Sequence, residues 1–141
     1  MTYDNQNIFA KILRGEIPSE CVYEDDHTMV IMDIMPRSNG HVLVIPKTPA
    51  RNMLDATDAQ LAACMGTVQK ISKALLVAFD ADGITLQQFN EAAGGQEVFH
   101  LHFHLLPRHT DDKPGRPGIM GDMAVIKKNA EKIRTVINSG I

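Results

Sequence analysis

Phe99-His100-Leu101-His102-Phe103-His104-Leu105-Leu106-Pro107-Arg108 places three of the chain's six histidines at every second position of a ten-residue stretch whose other members are mostly apolar. A period of two is that of a β-strand, in which successive side chains point to opposite faces. One row then holds Phe99, Leu101, Phe103 and Leu105 and belongs to the core. The other holds His100, His102 and His104 and faces something polar. Residues two apart on a strand stand about 7 Å apart, whereas zinc ligands lie at about 2.0–2.1 Å from one ion, so a single metal could take two of these imidazoles and hardly all three. Histidine is the side chain whose charge and nucleophilicity are adjustable near neutral pH. The row therefore points first to catalysis or anion binding, with metal binding and a merely polar strand face as the alternatives.

Working outward, His100 to Leu106 repeats histidine and an apolar residue three times and closes on two apolar residues. Upstream come Ile8-Phe9-Ala10-Lys11-Ile12-Leu13-Arg14-Gly15-Glu16-Ile17-Pro18, then Asp33-Ile34, His41-Val42-Leu43-Val44-Ile45-Pro46-Lys47, and Asn90-Glu91 before Gly94-Gly95-Gln96. On these motifs, their order and their spacing, the chain resembles the histidine triad (HIT) family over roughly residues 7 to 108. The resemblance implies a HIT-like α+β fold: a five-stranded antiparallel sheet with one long helix plus short N-terminal and C-terminal helices, commonly a homodimer with joined sheets. It further implies a nucleotide hydrolase of the purine nucleoside phosphoramidase kind, acting through a covalent nucleotidyl-histidine intermediate. A dinucleoside polyphosphate hydrolase, or a nucleotide-binding regulator with incidental hydrolysis, are its alternatives.

Residue by residue, the family pattern makes His102 the nucleophile, assigns phosphoryl oxygens to His104, Asn90 and backbone N–H groups at Gly95 and Glu97, and puts His100 and His41 behind His102 as orienting groups. Ile8, Phe9 and Ile12 would line the purine pocket, Asp33 and Ile34 would hold the nucleoside, and Gln96 belongs to the phosphate loop. Glu97 departs from the small hydroxyl residue often found there; a carboxylate beside a phosphate repels it, so it either turns away or alters leaving-group preference. Some bacterial relatives carry zinc through a Cys-x-x-Cys at the start of the Ile-Phe segment. Here those positions read Asn7 and Ala10, which lowers the expectation of zinc; no metal or other cofactor is required by the scheme.

Composition is consistent with one soluble domain, 1–141, with residues 109–141 as a variable tail: 141 residues, 44% hydrophobic, net charge −3. The absence of a dense basic cluster argues against nucleic acid as a partner. A polar, acidic start and the lack of an apolar run near ~18 residues argue against export or a membrane anchor. Cys21 and Cys64 lack disulfide-framework spacing and suit a reducing cytoplasm.

The remaining elements follow from local signals. Ile8 to Leu13 has the spacing of a short helix face, stopped by Gly15 and Pro18. Cys21–Glu24 and Thr28–Asp33 read as a hairpin across Asp25-Asp26-His27, and His41–Pro46 as a strand buried on both faces. Alone, Asp33 could be a turn-initiating residue and His41 a satisfied structural histidine. Thr57 to Phe79 has apolar residues at threes and fours, with Thr57 or Asp58 as the cap, and Cys64 on its stripe as a small core residue. Ile84–Asn90 reads as a strand returning through Glu91–Glu97 into the histidine strand, and a helix follows Asp122.

Overall fold

Capping decides where the helices start, as seen in a computed structural model that describes residues 2–140; the outermost residues of the expected 1–141 domain lie outside the described residues. Asn7 Oδ1 accepts from Ala10 N and opens α1, Ile8–Leu13. Thr57 and Gln60 form a reciprocal capping box that opens α2, Asp58–Ala78, and Asp122 caps α3, Met123–Asn138. Strands β1 (Cys21–Glu24), β2 (Thr28–Met32), β3 (Val42–Pro46), β4 (Gly83–Gln87) and β5 (Phe103–Arg108) form one antiparallel sheet in the order β1-β2-β3-β5-β4. This is the α+β, five-stranded architecture that the sequence led us to expect.

Alternation along the central strands sends apolar side chains both ways. Val30, Met32, Val42, Val44, Leu101, Phe103 and Leu105 meet Cys64, Val68, Ile71 and Leu75 of α2 and Ile126 and Ile133 of α3 on one face. Ile31, Leu43 and Ile45 meet Phe9 of α1 on the other. At about 1.5–3 kcal/mol for each fully buried large apolar side chain, the first cluster dominates stability. The second face is thinner and is where the histidines emerge.

Three expectations change in detail. The ladder of β5 begins only at Phe103, so His100, at the end of a bend, and His102 lie on a lead-in whose Leu101 N–H donates to Ala50 O at 2.8 Å. Its alternation survives because Leu101, like Phe103 and Leu105, is anchored in the main core. Strand β4 ends at Gln87, not Asn90: the Gln88 and Asn90 side-chain amides bond each other, and Glu91 turns at φ 67, ψ 161. Finally, the 21-residue α2 is by length and composition able to cross a membrane, which scanning for uninterrupted apolar runs missed; one of its faces lies on the sheet, burying Cys64, Val68, Ile71, Ala74 and Leu75.

Candidate active site

A backbone amide can only donate and a carbonyl can only accept, and these two facts fix the proton positions of four histidines. The peptide N–H of Arg37 donates to His41 Nδ1 at 3.1 Å, so the His41 ring proton is on Nε2. That N–H faces His104 Nδ1 at 3.0 Å, which leaves the His104 proton on Nε2, with no acceptor among the described residues. His100 donates from Nε2 to Pro46 O at 2.8 Å and accepts at Nδ1 from the Tyr3 hydroxyl at 2.7 Å. His102 donates from Nδ1 to His100 O at 2.7 Å. Its Nε2 therefore carries a lone pair and no partner among the described residues. The result is a nucleophilic nitrogen on His102 beside an N–H donor on His104, their ring centroids 5.0 Å apart.

Burial keeps these rings neutral. It lowers His41 to about 3, helped by the positive charge of Arg37 and by coupling to His102, and His104 to about 3, helped by coupling to His102 and His41 and by Arg37. His100 falls to about 4, burial outweighing the Pro46 carbonyl bond; His102 is lowered too, against the opposing pull of the His100 carbonyl and Asp33. Asp33 moves the other way, raised by burial against the Met35 N–H bond and the charges of His102 and Arg37. Its Oδ1 accepts from Met35 N at 2.8 Å, the turn role read from sequence, while Oδ2 lies 3.4 Å from His41 Nε2.

Asp33, His41 and His104 bring three potential donor atoms within 4.8 Å of one another. They do not fit a metal as they are protonated here, because the proton of His41 lies on the nitrogen facing the cluster. His100 has both ring nitrogens engaged, and Asn7, where zinc-binding relatives would have a cysteine, is the α1 cap. The Cys64 thiol is fully buried and pushed up to about 11 by burial, which suits a core residue and not a nucleophile.

Helix α1 lays Phe9 edge-on against His102 at 4.8 Å, with Ile12 packed on the same small cluster; Ile8 and Ile34 present apolar surface at 42% and 40% exposure. The loop between β4 and β5 is built differently from the sequence reading. Gln96 is a correction: its side chain is buried, donating to Arg51 O and Val98 O and accepting from Asn52 Nδ2 and Glu91 N, so it braces the loop from inside and is not presented to a ligand. Asn90 spends its side chain on Gln88 and on Met53 N. The Gly95 N–H closes a turn on Ala92 O. The N–H groups of Glu97 and Val98 have no acceptor among the described residues, and the Glu97 side chain is exposed.

Arg51, Asn52 and Phe89 carry the site without a motif to announce them, and Glu91 does so in a way its motif did not. Glu91 adopts a backbone conformation that normally only glycine occupies; Arg51 grips its carboxylate with two bonds of 2.8 and 2.9 Å, and Asn52 adds a third. The same Arg51 reaches Thr2 O, tying the N-terminal segment that delivers Tyr3. Phe89 stacks edge-on to His104 at 5.6 Å and leaves 3.2 Å for a Cβ at Gly95, which has φ +99. Such strain, held in place by several bonds, is typical of functional loops.

Comparison with known proteins shows the family and agrees with the fold. The HIT domain matches residues 14–111. Purine nucleoside phosphoramidase of Escherichia coli is 41% identical over 72% of this chain and 86% of its own length. A HIT-like protein from Bartonella henselae superposes with a TM-score of 0.92 at 52% identity, covering 96% of this chain and 99% of that one. A zinc-bound histidine triad protein from Mycobacterium smegmatis superposes at 0.86 with 30% identity, over 95% and 94%.

Proposed function

The chain belongs to the histidine triad (HIT) family, and from that premise we propose that it cleaves purine nucleoside 5′-monophosphate derivatives, phosphoramidates above all, at the α-phosphorus through a covalent nucleotidyl intermediate on His102. The observation that carries the reading is the His102 ring, held by His100 O so that Nε2 is left bare, next to the His104 ring at 5.0 Å between centroids. The His102 lone pair attacks phosphorus and the amine departs with the P–N electron pair and a proton from water. A second water then releases the nucleoside monophosphate and restores the imidazole. The His104 Nε2–H and the free N–H groups of Glu97 and Val98 supply donors where negative charge develops on the phosphoryl oxygens. Phe9, Ile12, Ile8 and Ile34 offer apolar surface to a purine, and Asp33 keeps Oδ2 for the ribose hydroxyls.

We take the working unit to be a homodimer. Strand β4 is an open sheet edge carrying Leu86 at 44% exposure, and α2 leaves Met65 and Val77 apolar and exposed, a combination that monomers usually avoid.

The test is His102→Ala. It should abolish turnover of adenosine 5′-phosphoramidate while leaving AMP affinity within a few-fold, because base and ribose contacts lie elsewhere. Mass spectrometry of the wild-type protein after rapid acid-free quenching should find the adduct on the fragment spanning residues 99–108. Full activity in His102→Ala, or an adduct on His100, His104 or Cys64, overturns the mechanism.

A further inference from the structure

Arg37 is the one arginine beside the histidines, and its charge is unspent. Both of its main-chain groups are pinned: the N–H by His41 Nδ1, and the carbonyl by Gly115 N at 2.6 Å. Its half-buried side chain crosses to β4, where Nη2 donates to Gln87 Oε1 at 2.6 Å. Gln87 is the residue directly opposite His104 in the β4–β5 ladder, so the guanidinium is delivered to the rim of the phosphate site. A guanidinium has five N–H donors in a planar fork. No other side-chain acceptor engages this one among the described residues, and no carboxylate lies within ion-pair distance. Arg14, Arg51, Arg108 and Arg134, by contrast, are all paired with acids. The charge also reaches the neighbouring groups, opposing protonation of His41 and His104 and favouring the Asp33 carboxylate. A partly buried cation without a counter-ion, fixed next to a catalytic pair, is a site for an anion.

Building on the phosphoramidase reading, we propose that Arg37 forms a leaving-group subsite for an oxyanion, so that the protein prefers leaving groups carrying a negative charge, such as an amine bearing a carboxylate. The α-phosphate itself is served by His104 and the loop N–H groups; Arg37 is brought to the site through Gln87, the cross-strand partner of His104. In the reaction, His102 Nε2 forms its bond to phosphorus as the P–N bond breaks toward the amine, which takes a proton from water. Arg37 holds the carboxylate of that amine and adds no group of its own to the balance. A sulfate leaving group would depart with the P–O electron pair, as the dianion and without a proton, and the same fork would hold it.

The decisive comparison uses two AMP phosphoramidates that differ only in charge, those of glycine and of glycinamide. The wild-type kcat/KM should favour the glycine compound by about tenfold, the size expected for one charge-assisted hydrogen bond. Arg37→Gln should erase that preference while leaving the glycinamide compound within about twofold, which also controls for folding; Arg37→Lys should keep part of it. Adenosine 5′-phosphosulfate, run alongside, separates the sources: a parallel loss in Arg37→Gln extends the subsite to inorganic oxyanions, and an unchanged rate confines it to a carboxylate at amine distance. No wild-type preference, or an equal fall for both phosphoramidates in Arg37→Gln, overturns the subsite. If the wild-type protein turns over none of these compounds, the hydrolase reading fails. Sulfate titrated calorimetrically against wild type and Arg37→Gln then judges Arg37 by itself, since binding lost in the variant supports an anion site and equal binding refutes it.

Discussion

Lowering the pH from 7.5 to 5.5 should unfold this protein far more readily than its net charge suggests, because its histidines are buried in the neutral form. His41 and His104 titrate near 3 and His100 near 4 in the folded chain, while in the unfolded chain each returns to about 6.5. The sign follows directly. Between those values the unfolded state binds more protons, so stability rises with pH and is lost as pH falls through 6.5. At pH 5.5 each histidine removes about 1.4 kcal/mol, about 4 kcal/mol for the three, against the 5–15 kcal/mol typical of a domain. Asp33, raised by burial, works in the opposite direction and offsets part of this. Urea unfolding at one fixed protein concentration, read by far-UV circular dichroism at both pH values, measures the loss as a fall in midpoint at constant slope. Stability unchanged to within about 1 kcal/mol, or higher at pH 5.5, would refute the buried, neutral assignment. So would protonation of His41, His100 or His104 near pH 6.5 in the folded protein, followed by the ring resonances.

Other perturbations probe single links. Tyr3→Phe keeps the ring against His100 but strips the hydroxyl from Nδ1; kcat should fall several-fold with KM nearly unchanged, accompanied by a shifted His100 nitrogen resonance, and an unmoved resonance would show that the Tyr3 hydroxyl does not bond His100. At Gly40→Ala the new Cβ would overlap the Phe79 ring at φ +88; the left-handed backbone and the overlap together should cost about 2–5 kcal/mol in a thermal melt, and a change under about 1 kcal/mol would contradict the packing described. Deoxy-AMP should bind more weakly than AMP, since Asp33 Oδ2 would lose a hydroxyl partner; equal affinities in calorimetry would take Asp33 off the ribose.

What could be read from sequence and what could not divide along a physical line. Alternation from Phe99 to Leu105, the Thr57 cap with its apolar stripe, and the Cys21–Met32 hairpin are local signals, and they recovered the architecture because neighbours in sequence settle them. The histidines were found for the same reason. The protonation of His100 was not, because it is set by atoms far along the chain: Pro46 O, separated by 54 residues, and Tyr3, separated by 97. The inward turn of the Gln96 side chain was illegible for a related reason. An amide between two glycines and a glutamate reads as loop surface, yet Asn52 and Arg51, 44 and 45 residues away, turn it inward.

Arg37 belongs to that second class and shows why it matters. In sequence it is one charged residue in a turn between Pro36 and Ser38, and its surroundings there say nothing of histidines. Three contacts give it a role: its own N–H fixes the His41 tautomer, Gly115 from the tail holds its carbonyl, and Gln87 holds its fork beside His104. The first of these sets which nitrogen of His104 carries a proton, and the last sets where a cation stands relative to that proton. One residue thereby couples the protonation of the phosphate-binding imidazole to the charge of the leaving-group side. The tail reaches the same loop again through Gly121 N on Ile34 O, and Gly121 has no room for a Cβ against Pro36. Changes in residues 112–121, which lie beyond the matched HIT segment, can therefore move Arg37 without touching the triad, which is a route by which relatives with one chemistry come to differ in the leaving groups they accept.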